Sequence, residues 1–404
     1  MKITTVFLIS YFSFLVSHSQ NYDPHKINEK ASGLYSRALN ELTQNQNYKY
    51  AIQLMDEAIA IEPNFADAWL SKAAAYADIR NYPASVVSYE AALRTDTVYF
   101  SDSYLPYSIS LAGTGAFQKA LDAVNEFLRI PDLNDRSVKA ANYCKRCYEF
   151  AVNYAAAYNN SNYVFKPINL GDSINTKDES EYFPSLTVDG NELIFTRLIK
   201  GVNEDFYVSY KKNNQWSKAI PLPGNINTEL NEGAQNISQD GKMLVFTGCN
   251  FPGGSGSCDL YYSLQTPKGW SEPLNFGEPI NTEFWESQPS LSPDKRFLYF
   301  TARDPNGLGG SDIWVSERLP NGTWKNPINF GSGINTAGNE SDPFIHADNQ
   351  TLYFTSDALP GYGGRYLFVV RKDSSGKWGK PENLGYPINT INDESTMIAS
   401  ADGK

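Results

Sequence analysis

A glutamate recurs at Glu181, Glu232, Glu286, Glu340 and Glu394. Each stands eight residues ahead of an acidic turn position: Asp189, Asp240, Asp294, Asp348 and Asp402. Carboxylates gathered in this way could capture a cationic group or a metal. Their plainer role is to accept hydrogen bonds from the backbone of their own repeat. Recurrence in every copy favours that role, because a binding site usually breaks symmetry. A second acidic series, Asp205, Asp259 and Asp312, gives way to Arg365 in the fourth copy. Asp at a strand start ordinarily bonds local N–H groups. Cys249 and Cys258 flank a loop containing Gly253, Gly254 and Gly256, flexible enough to bring the sulfurs together as a disulfide. A metal there would need further His or Cys ligands, and none is near in sequence. Cys144 and Cys147, on a predicted helix, read as buried free thiols.

Enzyme signatures are missing. The chain has no G-x-S-x-G, no H-E-x-x-H and no phosphate-binding glycine loop. Its histidines are His18, His25 and His346. A glycosidase-type carboxylate pair is compatible with the residue counts. Near-identical copies argue against one, since the residues of a catalytic site must differ between copies. The expectation is no catalytic residue, no metal site and no cofactor.

The same periodicity describes the elements that must hold these residues. Ile-Asn-Thr occurs at Ile174-Asn175-Thr176, Ile226-Asn227-Thr228, Ile280-Asn281-Thr282, Ile334-Asn335-Thr336 and Ile388-Asn389-Thr390, in steps of 52, 54, 54 and 54 residues. Trp216, Trp270, Trp324 and Trp378 keep the same beat. A period near fifty carrying several short apolar runs is the signature of propeller blades. One interval parses into strands at 289–292, 297–301, 313–317 and 324–330, with Asn321-Gly322 as a hairpin turn. In a closed ring the five glutamates would circle one mouth of the channel. The phase of the repeat adds a further expectation. Residues 165–170 match only a fourth strand, and the last copy begins at Glu394 and stops at Lys404. The region 163–404 is therefore expected to be an incomplete, about five-bladed β-propeller, truncated in the fifth blade and open at that edge.

Residues 27–158 carry a shorter period of 34, marked by Asn47-Tyr48, Asn81-Tyr82 and Gly115-Ala116. Small residues at Ala58 and Ala92 let paired helices approach closely, and Pro63 ends a helix. The pattern resembles about three tetratricopeptide repeats, with 137–158 as a capping helix. The aromatic stripe reads as packing between helices. By repeat register Arg37, Asn40, Ser71 and Asp78 would face a concave groove that takes a peptide or a partner helix. The fold class expected is thus a two-domain α + β chain.

Residues 1–20 read as a secretory signal peptide: Lys2, an apolar run from Ile3 to Val16, then small and polar residues. No Cys follows to carry a lipid anchor, and no transmembrane segment is expected. A polar break at 159–163 separates the two regions. The net charge of −11 excludes a nucleic-acid binder, which needs a basic footprint, and a polybasic membrane-surface binder.

The blades, typified by Glu340-Ser341-Asp342-Pro343, Leu352-Tyr353-Phe354-Thr355 and Gly309-Gly310-Ser311-Asp312-Ile313-Trp314, resemble the WD40-like propeller repeats of TolB. The pairing of repeat types is similar to exported Bacteroidetes-type proteins that join tetratricopeptide repeats, this propeller and a C-terminal OmpA-like domain. PorE of the type IX secretion system is the described example. The resemblance implies a non-enzymatic, periplasmic, outer-membrane-associated scaffold that binds protein partners of the cell envelope. Peptidoglycan would be gripped only by the OmpA-like domain, absent from these residues. The readings set against it are a propeller enzyme, either a glycosidase or the propeller of a peptidase, and a propeller that binds glycans or muropeptides without turnover.

Overall fold

A computed structural model describes residues 22–157 and 165–403. The expected signal peptide and the polar break at 159–163 lie outside them. By contacts the chain divides into two compact units, Met1–Tyr148 and Glu149–Lys404.

The first unit is helical: α1 (Glu29–Thr43), α2 (Tyr48–Ile61), α3 (Ala66–Asp78), α4 (Tyr82–Thr95), α5 (Tyr104–Gly113), α6 (Phe117–Phe127) and α7 (Asp135–Ala157), whose last nine residues fall in the other unit. The first six helices pack as consecutive pairs, which makes a helical repeat array. The recurring Asn is a helix cap: Asn47 accepts from Tyr50 N–H and Asn81 from Ala84 N–H. The recurring small residues are contact points, with Ala51, Ala58, Ala73, Ala92 and Ala120 all buried. Ahead of α1, an arm is tied down by Tyr22, whose N–H donates to Asp96 Oδ2 at 2.8 Å and whose hydroxyl donates to Asp67 at 2.8 Å. Tyr99 donates to the same Asp67 carboxylate.

The second unit contains four antiparallel sheets, each built in chain order from an inner, a second, a third and a short outer strand. The inner strands are Ser180–Leu186, Asn231–Ile237, Glu286–Leu291 and Glu340–Ile345. The second strands are Glu192–Ile199, Met243–Cys249, Phe297–Ala302 and Thr351–Ser356, and the third are Asn203–Lys212, Cys258–Thr266, Asp312–Glu317 and Tyr366–Arg371. The outer strands are two-residue pieces, Ile220–Pro221, Leu274–Asn275, Ile328–Asn329 and Glu382–Asn383. This is a propeller-like arrangement of four blades. Residues 165–170 and 394–399 carry no strand, since neither is paired in a ladder with a neighbour among the described residues.

Three layers of contact join successive blades. Nearest the centre, inner strands bond to one another: Ile237 N–H to Ser185 Oγ, Leu291 N–H to Asn236 Oδ1 and Ile345 N–H to Ser290 Oγ. Midway, the second-strand phenylalanines Phe195, Phe246, Phe300 and Phe354 are buried in the blades. At the outside, the Trp of one blade meets the outer strand of the blade before it: Trp270 shares a core with Leu222, Trp324 lies 5.8 Å from Phe276 and Trp378 lies 5.6 Å from Phe330, ring to ring. The glycine-rich loops fit beneath the next crossover. At Gly256 and Gly309 a Cβ would lie within 2.1 Å of the carbonyl oxygens of Phe284 and Gly338.

The Asn of Ile-Asn-Thr is a clamp on the third strand. Asn281 accepts from Leu260 N–H at 2.8 Å and donates to Leu260 O at 2.9 Å. Asn227 grips Phe206, Asn335 grips Ile313 and Asn389 grips Leu367 in the same two-point way. Replacing Asn281 with Ala leaves the buried Leu260 N–H without its acceptor and the Leu260 C=O with the Phe276 N–H alone, which costs about 1–3 kcal/mol. Tryptophan fluorescence during thermal unfolding checks this, because six of the seven tryptophans lie in the second unit. An unchanged midpoint would remove the clamp from the argument.

Candidate functional site

Four of the recurrent glutamates stand at inner-strand starts and Glu394 holds the equivalent position without a strand; each turns back onto the crossover before it. Glu232 accepts from the Thr228 N–H and hydroxyl, Glu286 from those of Thr282, Glu340 from those of Thr336 and Glu394 from those of Thr390. Glu181 does the same with Thr176 and is also paired with Arg197, whose Nε lies 2.9 Å from its Oε1. Glu232, Glu286 and Glu340 are at most 1% exposed. Ile-Asn-Thr…Glu is thus one closed device: Ile in the core, Asn on a strand, Thr held by Glu.

Burial pushes the carboxyls of Glu232 and Glu394 up to about 7, against the downward pull of their Thr donors. The same cause raises Glu286 and Glu340. A nearby acid adds to the rise: Asp205 on Glu232, Asp259 on Glu286 and Asp312 on Glu340. Asp205 accepts from the Asn203 side chain, whereas the other two serve local backbone. Asp259 accepts from Ser255 and Gly256 N–H, and Asp312 from Leu308 N–H. At Arg365 the side chain instead donates to Ser341 Oγ.

The centre of the second unit is lined by residues two positions after each glutamate: Phe183, Ala234, Gln288, Asp342 and Thr396. The cavity there measures about 30 Å³, room for a water molecule or two. Each of the four inner strands has a bulge at this point. Phe183, Ala234, Gln288 and Asp342 have φ of 48°, 51°, 55° and 54°, a left-handed backbone that non-glycine residues adopt only under constraint. Gln288 donates to Asp342 Oδ1 at 2.6 Å and Thr355 to Asp342 Oδ2 at 2.7 Å, so the polar groups facing the centre bind one another. No residue pattern signals these bulges, because Phe, Ala, Gln and Asp share no turn preference.

Cys249 and Cys258 are joined as a disulfide across paired strands, while Cys144 and Cys147 are free. Burial raises both free thiols, Cys147 to about 11. Among the described residues no group of three or more His, Cys, Asp or Glu is placed to hold a metal ion. His346 Nε2 lies 3.0 Å from Ser400 O and its Nδ1 accepts from Asp348 N–H, a structural pairing. In the helical unit, Arg37 donates to Tyr50 OH and Ser71 Oγ meets Tyr35 OH at 2.9 Å. Arg37, Asn40 and Asp78 are exposed, and no bond joins the four groove positions to one another.

No protein-family model matches this chain, and no curated protein does. Solved structures are similar to parts of it. TolB from Acinetobacter baumannii is 16% identical with a TM-score of 0.36, over 56% of this chain and 53% of its own. An alpha-L-arabinofuranosidase from Lactobacillus brevis is 16% identical with a TM-score of 0.39, over 59% of this chain and 85% of its own. The first TPR of Spaghetti (RPAP3), solved bound to the HSP90 peptide SRMEEVD, is 16% identical with a TM-score of 0.29, over 31% of this chain and 97% of its own. The architecture described above rests on the elements themselves.

Two outcomes follow. A glutamate whose pKa is higher folded than unfolded makes the folded state the tighter proton binder. Its contribution is complete below about pH 4.5 and is lost as pH rises through about 7. The second unit therefore melts at a higher temperature at pH 5.5 than at pH 8. Glu232→Gln flattens that dependence, and Glu286→Ala lowers the midpoint at both pH values by breaking a buried bond to Thr282. A pH-independent midpoint would contradict the assignment. For the cysteines, thiol titration of the unreduced, denatured protein returns two groups, and reductant returns four. Cys249→Ser with Cys258→Ser opens a short loop and costs about 2–3 kcal/mol.

Proposed function

We propose that the chain is a non-enzymatic scaffold that binds protein partners of the cell envelope through its outer surfaces. The observation that carries this reading is where the repeated polar groups go. The glutamates hold threonines, the asparagines hold strands, and the central polar groups hold each other around a cavity of about 30 Å³. A sugar ring or a peptide needs several hundred Å³. Binding then falls to the faces of the blades and to the helical array, a repeat type whose extended surfaces suit peptides and partner helices.

The finer reading comes from the resemblance of the paired repeats to exported, OmpA-family proteins of the PorE type. It assigns the protein to the periplasm, associated with the outer membrane, in an envelope or type IX secretion complex. Peptidoglycan contact in that reading belongs to a C-terminal OmpA-like domain outside these residues. The second unit is then a propeller of about five blades, four of which are described above. No helix among the described residues is long and apolar enough to cross a membrane.

Affinity capture from envelope extracts tests the proposal. The protein should retain a discrete set of envelope proteins. A variant with Arg37, Asn40, Ser71 and Asp78 all replaced by Ala, unchanged in melting temperature, should lose at least one of them. Identical captures would remove the groove from the proposal. Turnover of chromogenic glycosides or peptides that Glu286→Gln abolishes would sink the non-enzymatic reading.

A further inference from the structure

Four blades repeat one set of contacts, so they define what each contact group takes. Every Asn of Ile-Asn-Thr from Asn227 to Asn389 grips the N–H and C=O of one third-strand residue. Asn175 is built for the same task. It donates to Asn169 Oδ1 at 2.8 Å, the bond that Asn281, Asn335 and Asn389 make to Asn275, Asn329 and Asn383. Among the described residues, however, no third strand lies in its grip.

The other end of the unit shows the matching feature. Glu394 holds Thr390 with Oε1, while its Oε2 is buried without a hydrogen-bond partner. In the blade before, Glu340 pairs across the ladder with Ser356, which donates to its carboxylate at 2.6 Å. The segment 394–403 is held against that blade by His346 at Ser400, and Thr396 reaches the centre with the four inner strands. A cleft of about 790 Å³ opens between Ser400–Ala401–Asp402 and the first blade, with Leu186 and Trp216 in its wall. Phe165, Ile168 and Leu170 are 47%, 78% and 45% exposed. In register, Leu170 corresponds to the outer-strand residue that receives a Trp in the other blades.

From these groups we infer that the second unit carries a β-seat for one hairpin of its own repeat type, a second and a third strand connected through residues 394–403. The second strand pairs with 394–399 and sets a hydroxyl against Glu394 Oε2. The third strand enters the Asn175 clamp, and 165–170 becomes the outer strand beside it. The hairpin's Trp covers Leu384. Each contact has a counterpart in the blades already formed, so the occupant is specified residue by residue.

The experiment adds the occupant. Lys404 stands 54 residues after Gln350, so a copy of residues 351–379 joined directly to Lys404 continues the repeat in register. The extended protein should stay monomeric and melt at least about 5 °C higher. Amides of 394–403 should become protected from hydrogen exchange. Asn175→Ala should lower the melting temperature of the extended protein by several degrees and leave the original nearly unchanged. An extension of scrambled order that stabilises equally would overturn the inference. So would equal effects of Asn175→Ala in both proteins, or a dimer of the original chain that already protects 394–403.

Discussion

The second unit depends on a buried side-chain carboxylate or carboxamide meeting a backbone that strand pairing leaves unsatisfied. Crossovers between blades cannot use ladder bonds, and they run through the interior. Their N–H groups would be costly to bury alone. Glu286 removes that cost at the Thr282 N–H, Asn281 satisfies the facing third strand at Leu260, and the same pair of residues does so at the crossovers of Ile226, Ile334 and Ile388. The expense is a carboxyl whose ionised form burial disfavours, which raises Glu232, Glu286, Glu340 and Glu394 above the usual carboxylate range. The apolar layers thicken around a frame that these bonds locate.

The helical unit uses a lighter version of the same logic. Its connections are short and solvent-facing, so Asn47 and Asn81 need only cap the following helix. Close approach then does most of the work, through alanines where the paired helices meet. The arm ahead of α1 uses charge, with Asp67 and Asp96 taking the Tyr22 hydroxyl and N–H, and Lys72 on α3 pairs with Asp56 on α2 at 2.5 Å.

Much of this was legible because the sequence repeats. A lone Ile-Asn-Thr means nothing, whereas five in register mark crossovers, and the tryptophans and acidic turns locate the strands between them. The helical period was readable for the same reason. Recurrence also favoured a bonding role for the glutamates, and each of them lies on its threonine. Other features left no trace. The left-handed residues at the centre, Phe183, Ala234, Gln288 and Asp342, are imposed by the convergence of inner strands and not by residue type. The Tyr22–Asp67 bond joins positions 45 apart with no periodic relation. The strands expected at 165–170 and in the last copy from Glu394 show the limit from the other side: a pattern specifies a strand, but a ladder needs a partner.

Because each latch reaches only from one unit to the next, the design has a consequence for ancestry. Duplicating a stretch of 54 codons anywhere in the array copies a crossover, its clamp and its tryptophan together, and both new junctions find the neighbours they had before. Lineages can therefore change the number of blades by slippage during replication, without first inventing an interface. The markers the present blades share, Ile-Asn-Thr, the Glu that follows and the Trp, are what such copying would leave, and a lengthened array would inherit working contacts at birth.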